Sequence, residues 1–246
     1  RFHSSIHRLN RQKLFPDQQK LAVHAQPQNL QDAFEEKFNI PVANLYGLSE
    51  TGATHFDDPF VKGRVMGSIG KPFDIVEARI FGEDRRKVHN NEVGEIGIKS
   101  PGLMKGYLNK QKLYEKCFHK KFFMTGDLCR KDKEGNYYYI DRKKDLIIKG
   151  GVNIVPSQIE EVLLSHSSVK EAAVIGKPDM LLGETIKCLL VSKNGCKTDK
   201  KEIRTYCKEK LGDFKTPSEF EIIQIMPKGP SGKILKRDLR LKEYID

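Results

Sequence analysis

The chain has 246 residues, a net charge of +11, and 38% hydrophobic and 9% aromatic side chains, which is enough apolar content for a packed core and excludes a disordered chain. No stretch approaches the roughly 18 consecutive apolar residues of a membrane span, and five cysteines, an odd number without a Cys-x-x-Cys pair, argue against a disulfide framework or a zinc site and for a reduced, cytoplasmic setting. Acidic residues are interleaved with basic ones throughout, the habit of a solvated surface rather than of a nucleic-acid or anionic-membrane binder.

In chain order, residues 1–20 show no clear period and no apolar run of the secretory kind. Arg1 in place of methionine suggests a start inside a longer reading frame. His3 and His7 are one helical turn apart, but no third metal ligand is near. Leu30, Ala33, Phe34 and Phe38 fall at helical spacing and predict an amphipathic helix. It stops near Asn39 and Pro41, and a short strand over 41–46 then runs into Gly47.

Between residues 63 and 141 short apolar runs alternate with glycine turns, as in Ile75–Ile80, Glu95–Ile98 and Tyr137–Ile140. This texture predicts a small, distorted β-barrel or a pair of sheets. From Asp145 the pattern becomes α+β. Leu146–Ile148 reads as a strand, Pro156 opens a helix with Ile159, Val162 and Leu163 on one face, and strands follow at 171–175 and 186–191. A helix over 199–211 and a strand over 220–225 complete the unit. The boundary is placed at 142–145, leaving 1–141 as one unit and 146–246 as a second of ordinary domain size.

Four stretches combine turn residues with groups that can handle a nucleotide. In Tyr46-Gly47-Leu48-Ser49-Glu50-Thr51-Gly52, hydroxyls and backbone N–H groups can donate to phosphate, the carboxylate suits Mg2+, and Tyr46 can stack on a base. In Thr125-Gly126-Asp127 the aspartate can accept both hydroxyls of a ribose. Asp141-Arg142-Lys143-Lys144-Asp145, leading to Gly150-Gly151, offers a phosphate or ribose partner in Arg142 at a polar junction where a hinge would sit. Pro227 to Lys233 is a stiff loop presenting one ammonium to oxygens whose charge shifts during reaction. Taken singly each has a plainer reading: a helix cap at Ser49 or Thr51, a turn aspartate, a solvated linker, a surface loop.

In this order, the four motifs resemble those of the adenylate-forming superfamily of acyl-CoA synthetases, luciferases and peptide-synthetase adenylation domains, over roughly residues 30–240. The resemblance implies the fold: part of a large AMP-binding domain (1–141, with a β-rich, barrel-like subdomain at 63–141), a hinge at 142–145, and a mobile C-terminal α+β domain at 146–246. It implies an AMP-forming acid–thiol ligase that activates a fatty or other hydrophobic carboxylic acid with ATP and passes the acyl group to coenzyme A, with ATP/AMP, Mg2+ and coenzyme A as ligands. On it Tyr46, Gly47, Ser49, Asp127 and Arg142 are nucleotide residues and Glu50 is the Mg2+ ligand. Lys144 is the hinge residue, Gly150 and Gly151 line the coenzyme A channel, and Lys233 is the catalytic lysine. The family's glycine-rich phosphate loop has no counterpart in these residues. Most of the acyl pocket is expected upstream, His24–Gln28 being a poor match to the family's acyl-site segment, and Lys121-Phe122 stand where Gly-Trp is common. An N-terminal part is therefore expected to be required; the alternative is a non-catalytic nucleotide- or partner-binding remnant.

Overall fold

The computed structural model describes residues 28–61, 64–230 and 232–243. The unpatterned first twenty residues, the His3–His7 pair and residues 24–27 of the acyl-site segment lie outside the described residues. Helix α1 (Gln28–Phe38) leads into a three-stranded antiparallel sheet of β1 (Asn44–Leu48), β2 (Gly52–Asp57) and β3 (Lys71–Pro72). Arg64 ties helix to sheet: its Nε lies 2.9 Å from Asp57 and its Nη1 3.1 Å from Glu35 on α1. The helix ends where Asn39 turns to a positive φ of 50°, ahead of Pro41, as the sequence predicts.

A five-stranded antiparallel sheet follows, built from β4 (Glu77–Phe81), β5 (Gly94–Lys99), β6 (Phe118–His119), β7 (Phe122–Lys131) and β8 (Tyr137–Arg142) in the order β4-β5-β7-β6 with β8 also beside β7. Of the two arrangements expected, a distorted barrel or a pair of sheets, the described strands form separate sheets, and a barrel is not what they make. β6 and β8 share the two halves of one edge of β7, and β4 pairs only with β5. The two sheets meet where Tyr137 pairs with Gly70, and Tyr46, Ile69, Ile80, Ile96, Ile98, Cys129 and Tyr137 form their shared core. Short helix α2 (Gln111–Lys116), absent from the sequence reading, precedes β6.

After a 3-10 turn at Lys143–Asp145 the chain builds its last sheet from β9 (Ile147–Lys149), β10 (Val152–Ile154), β11 (Val169–Asp179), β12 (Gly183–Ser192) and β13 (Glu219–Ile222), with β13 parallel to β12. Strand alternation sorts its two faces. Ala172, Val174, Ile186, Cys188 and Leu190 pack against helices α3 (Pro156–Leu164) and α4 (Lys200–Lys215). Ala173, Ile175, Leu189 and Val191 pack against Met226 and against Leu239 of helix α5 (Lys236–Glu243). Asp199 caps α4 by accepting from Lys201 N–H, and Gly212, at φ 76°, kinks its end. Among the described residues no helix is long and apolar enough to cross a membrane.

One buried group makes the fold sensitive to acid. His55 on β2 is fully buried between Tyr46 and Tyr137, and burial holds its pKa down at about 3. The unfolded chain therefore binds a proton at about pH 6.5 that the folded chain refuses. Stability should fall by up to about 1.4 kcal/mol for each pH unit below about 6.5, until the folded residue itself protonates. Urea unfolding measured from pH 7 to 4 on wild type and His55→Phe checks this; equal slopes for the two would refute it.

Candidate active site

The aspartate of the Thr-Gly-Asp motif is placed by an irregularity in β7. Between the pairs Gly97↔Met124 and Glu95↔Leu128, β7 carries two more residues than β5. The excess is absorbed at Thr125–Asp127 with Gly126 at φ 75°, a conformation that costs glycine little. Thr125 Oγ1 donates to Ile96 O at 2.9 Å and accepts from Asp127 N–H at 3.1 Å. Gly126 N–H donates to Glu95 Oε1 at 3.1 Å. Turned inward by this bulge, Asp127 is 0% exposed.

Two of the predicted residues converge on it. The Tyr46 hydroxyl donates to Asp127 Oδ2 at 2.8 Å. Arg142, opposite Asp127 in the β7–β8 register, sets its Nε 3.0 Å from Oδ1. That contact is an ion pair and not a well-directed hydrogen bond, so Oδ1 and Nε are both buried polar atoms without a hydrogen-bond partner. Burial pushes the Asp127 carboxyl up, against the pull of Arg142, Tyr46 and Lys233. Burial, with Cys129 and Asp127 adding to it, also raises the Tyr46 phenol.

The sequence reading gave the Tyr46 ring to a base. The structure instead buries it to 2% exposure, edge-on to His55, so in this arrangement Tyr46 supports Asp127. Gly47 leaves no room for a side chain against β2: a Cβ there would meet Gly52 O at 2.2 Å. Beyond it Thr51 is spent on the turn, donating to Gly52 O at 2.9 Å and accepting from Leu48 N–H at 3.1 Å, while Ser49 is exposed. Glu50 is half-buried and accepts the Tyr107 hydroxyl at 3.0 Å. Burial and that hydrogen bond push the Tyr107 phenol up to about 12.

Glu50, Tyr107, Glu95, Thr125, Gly126 and Arg142 border a cavity of about 320 Å³. Asp127 does not line it; its neighbour Gly126 and its partner Arg142 do. Among the described residues no group of three or more His, Cys, Asp or Glu gathers as a ready metal cage. Glu50, a carboxylate facing the cavity, nonetheless suits Mg2+, which keeps its waters and takes one or two carboxylates plus substrate phosphate.

Lys233 arrives from the other end of the chain. Its loop is a tight hairpin: Lys228 bridges Ile234, Leu235 N–H donates to Pro227 O at 2.9 Å, and Gly229 N–H donates to Lys233 O at 2.9 Å. The ammonium is within electrostatic reach of Arg142 and Asp127. Lys233 is exposed, and its pKa is lowered by partial desolvation and by Arg142, with Asp127 opposing. Lys144 is exposed, and its carbonyl accepts from Arg240 Nη1 at 3.4 Å. Gly150 and Gly151 form the two-residue β9–β10 turn at φ 56° and 78°, as a type I′ hairpin requires, and neither lines the cavity.

The sequence reading missed Glu95, which joins the Gly126 N–H to Lys143 Nζ at 3.0 Å, and Tyr107 beside Glu50. Both work through partners dozens of residues away, and no local pattern marks them.

A buried acid with an unused acceptor, a cationic partner, a carboxylate at a cavity and a loop-borne lysine are thus brought together from distant parts of the chain. Comparison with known proteins names the class: the chain belongs to the AMP-binding, adenylate-forming enzymes. The profile of the AMP-binding enzyme family matches residues 21–108, and that of the AMP-binding enzyme C-terminal domain matches residues 158–233.

Among individual relatives, sulfoacetate–CoA ligase of Cupriavidus necator is 39% identical over 220 residues, 89% of this chain and 43% of its own length. Long-chain-fatty-acid–CoA ligase of Bacillus subtilis is 38% identical, over 89% of this chain and 39% of its length. The structure of o-succinylbenzoate CoA synthetase from Bacillus subtilis in complex with its acyl-adenylate intermediate superposes with a TM-score of 0.79 at 37% identity, covering 87% of this chain and 44% of that one. The chain thus spans less than half the length of the curated relatives it matches.

Proposed function

We propose that this chain is the nucleotide-closing and lysine-bearing part of an AMP-forming acid–CoA ligase, acting with an N-terminal part that supplies the phosphate loop and most of the acyl pocket. The single observation that carries this reading is the unsatisfied Asp127 Oδ1 beside Arg142, with Lys233 in electrostatic reach of both. A ribose hydroxyl donating to Oδ1 would satisfy a buried acceptor that the protein leaves unmade.

In the first half-reaction a carboxylate oxygen of the acid attacks the α-phosphorus of ATP. The bond to the β-phosphate oxygen breaks, and pyrophosphate leaves with its electron pair. Attacker and phosphate are both anionic, and the Lys233 ammonium screens their repulsion as they meet. Asp127 holds the ribose, Arg142 faces ribose or phosphate, and Ser49 with the Gly47 turn meets phosphate oxygens. Tyr46 holds Asp127 in place. Glu50 would hold Mg2+, which when bound draws negative charge off the phosphate oxygens.

In the second half-reaction the sulfur of coenzyme A attacks the acyl carbonyl, its proton is lost to solvent, and AMP departs. Rotation about Lys144 in the 142–145 hinge, between the unit at 1–141 and that at 146–246, would withdraw Lys233 and bring Gly150-Gly151 to the thiol channel. The Asp141–Ile148 run, which reads like medium- or long-chain synthetases, favours a hydrophobic acid. The five unpaired thiols favour a cytoplasmic setting.

The test is ATP–pyrophosphate exchange by the full-length protein with a panel of acids from sulfoacetate-like to long-chain fatty acids. Exchange with one class, with the hydrophobic acids fastest, is expected. AMP binding without exchange for any acid would overturn the reading in favour of a non-catalytic remnant.

A further inference from the structure

We propose that Glu160 is a positioning residue for Lys233, working through Lys236; this rests on the ligase reading above. Glu160 sits on α3, well inside the last unit, and nothing in its local sequence marks it for function. Its Oε1 accepts Val174 N–H at 2.7 Å and lies 2.7 Å from Lys236 Nζ, both side chains being less than a fifth exposed. Lys236 opens α5, three residues beyond Lys233. At the loop's other end Lys228 pairs with Glu171 on β11. The catalytic hairpin is thus clamped at each stem by an ion pair to the body of the sheet–helix unit, and its tip carries Lys233.

The mostly buried clamp at Glu160 resists solvent screening better than the Lys228–Glu171 pair, where the lysine is 41% exposed. It also has a defined line to the nucleotide site. Helix α3 is docked on the end of β8: Ser157 N–H donates to Asp141 Oδ2 at 2.9 Å, and Ser157 Oγ donates to Ile140 O at 2.9 Å. The next residue along is Arg142, the partner of Asp127. Strand β8, helix α3 and the Glu160–Lys236 pair therefore set where the Lys233 loop stands relative to Asp127. Burial raises the Glu160 carboxyl, with Lys236 and the Val174 N–H opposing, as expected of a charge kept inside for its geometry.

The test separates the two half-reactions in the full-length protein: ATP–pyrophosphate exchange for the first, and release of AMP from a supplied acyl-adenylate in the presence of coenzyme A for the second. Glu160→Gln keeps an acceptor for Val174 N–H but removes the charge that holds Lys236. Exchange turnover should fall about 10- to 100-fold while the KM for ATP and the second half-reaction stay near wild type. Lys236→Met should reproduce the defect. The double variant should be no worse than either single one, because both remove the same contact.

Lys233→Ala runs beside them. If it spares exchange, the ligase reading fails at its root. If it abolishes exchange selectively and Glu160→Gln lowers both half-reactions together in step with a lower Tm, or lowers neither, the positioning role is overturned.

Discussion

Replacing Lys233 by alanine is expected to slow acyl-adenylate formation by about 100- to 1,000-fold, the scale of losing one preorganised charge aimed at a transition state. Transfer from a supplied adenylate should remain. The loss should appear in turnover rather than in ATP KM, because the ammonium matters most as the two anions meet. Lys233→Arg restores the charge and allows a pH test. Partial desolvation and Arg142 lower the Lys233 pKa, so the ammonium is lost as pH rises through a value below that of an ordinary lysine. Exchange should therefore decline on the alkaline side in wild type. In the arginine variant, which stays charged, this limb should be missing. Identical alkaline limbs would remove Lys233 from the chemistry.

The second large effect is at Asp127. Asp127→Asn keeps the shape and still accepts the Tyr46 hydroxyl, but it removes the carboxylate from Arg142 and from an incoming ribose. AMP affinity, measured by titration calorimetry, should weaken by about 1.5–3 kcal/mol, the range for hydrogen bonds to a charged group. Stability should move the other way or not at all. The Asp127 carboxyl is raised by burial in spite of its cationic partner. A group raised in this way is a cost to the fold at pH values above its pKa, and the neutral amide relieves it. A variant both less stable and equally good at binding AMP would reverse the assignment, making Asp127 a structural anchor.

Much of the fold was legible because it rests on local periodicity. Helix α3 was announced by Pro156 and by Ile159 and Leu163 on one face, both 0% exposed. The residues forecast as strands at 171–175 and 186–191 are the buried centre of a longer hairpin, Val169–Asp179 and Gly183–Ser192, whose connected ends at 177–179 and 183–185 are half-buried or exposed and so carry less apolar signal. Helix α5 was missed because only Leu239 of its described side chains is buried; its polar face reads as tail. Between a distorted barrel and a pair of sheets the sequence left the choice open: strand texture gives number and spacing, but closure depends on edges meeting, which no local pattern encodes.

At the candidate site, glycine turns and acids stand out in sequence, so Asp127, Glu50 and Arg142 could be proposed from it. What holds them could not. Glu95, Tyr107 and Glu160 are ordinary residues in ordinary contexts, and their work comes from partners brought close only by the fold. Tyr46 shows the reverse: its motif pointed to a base, but packing turned its ring inward and left the hydroxyl as the useful end.

The tail that carries Lys233 also supplies Met226 and Leu239, the side chains that cover the second face of the last sheet. The Lys233 hairpin and the roof of this sheet are thus carried by one segment. Until it docks, Ala173, Ile175, Leu189 and Val191 have no cover, and a chain arrested or clipped before this point is a sticky one, open to aggregation and to cellular proteolysis. Once it docks, the lysine is already in its hairpin. Quality control by the cell therefore doubles as a check on the Lys233 hairpin, because a copy that escapes degradation has that segment in place.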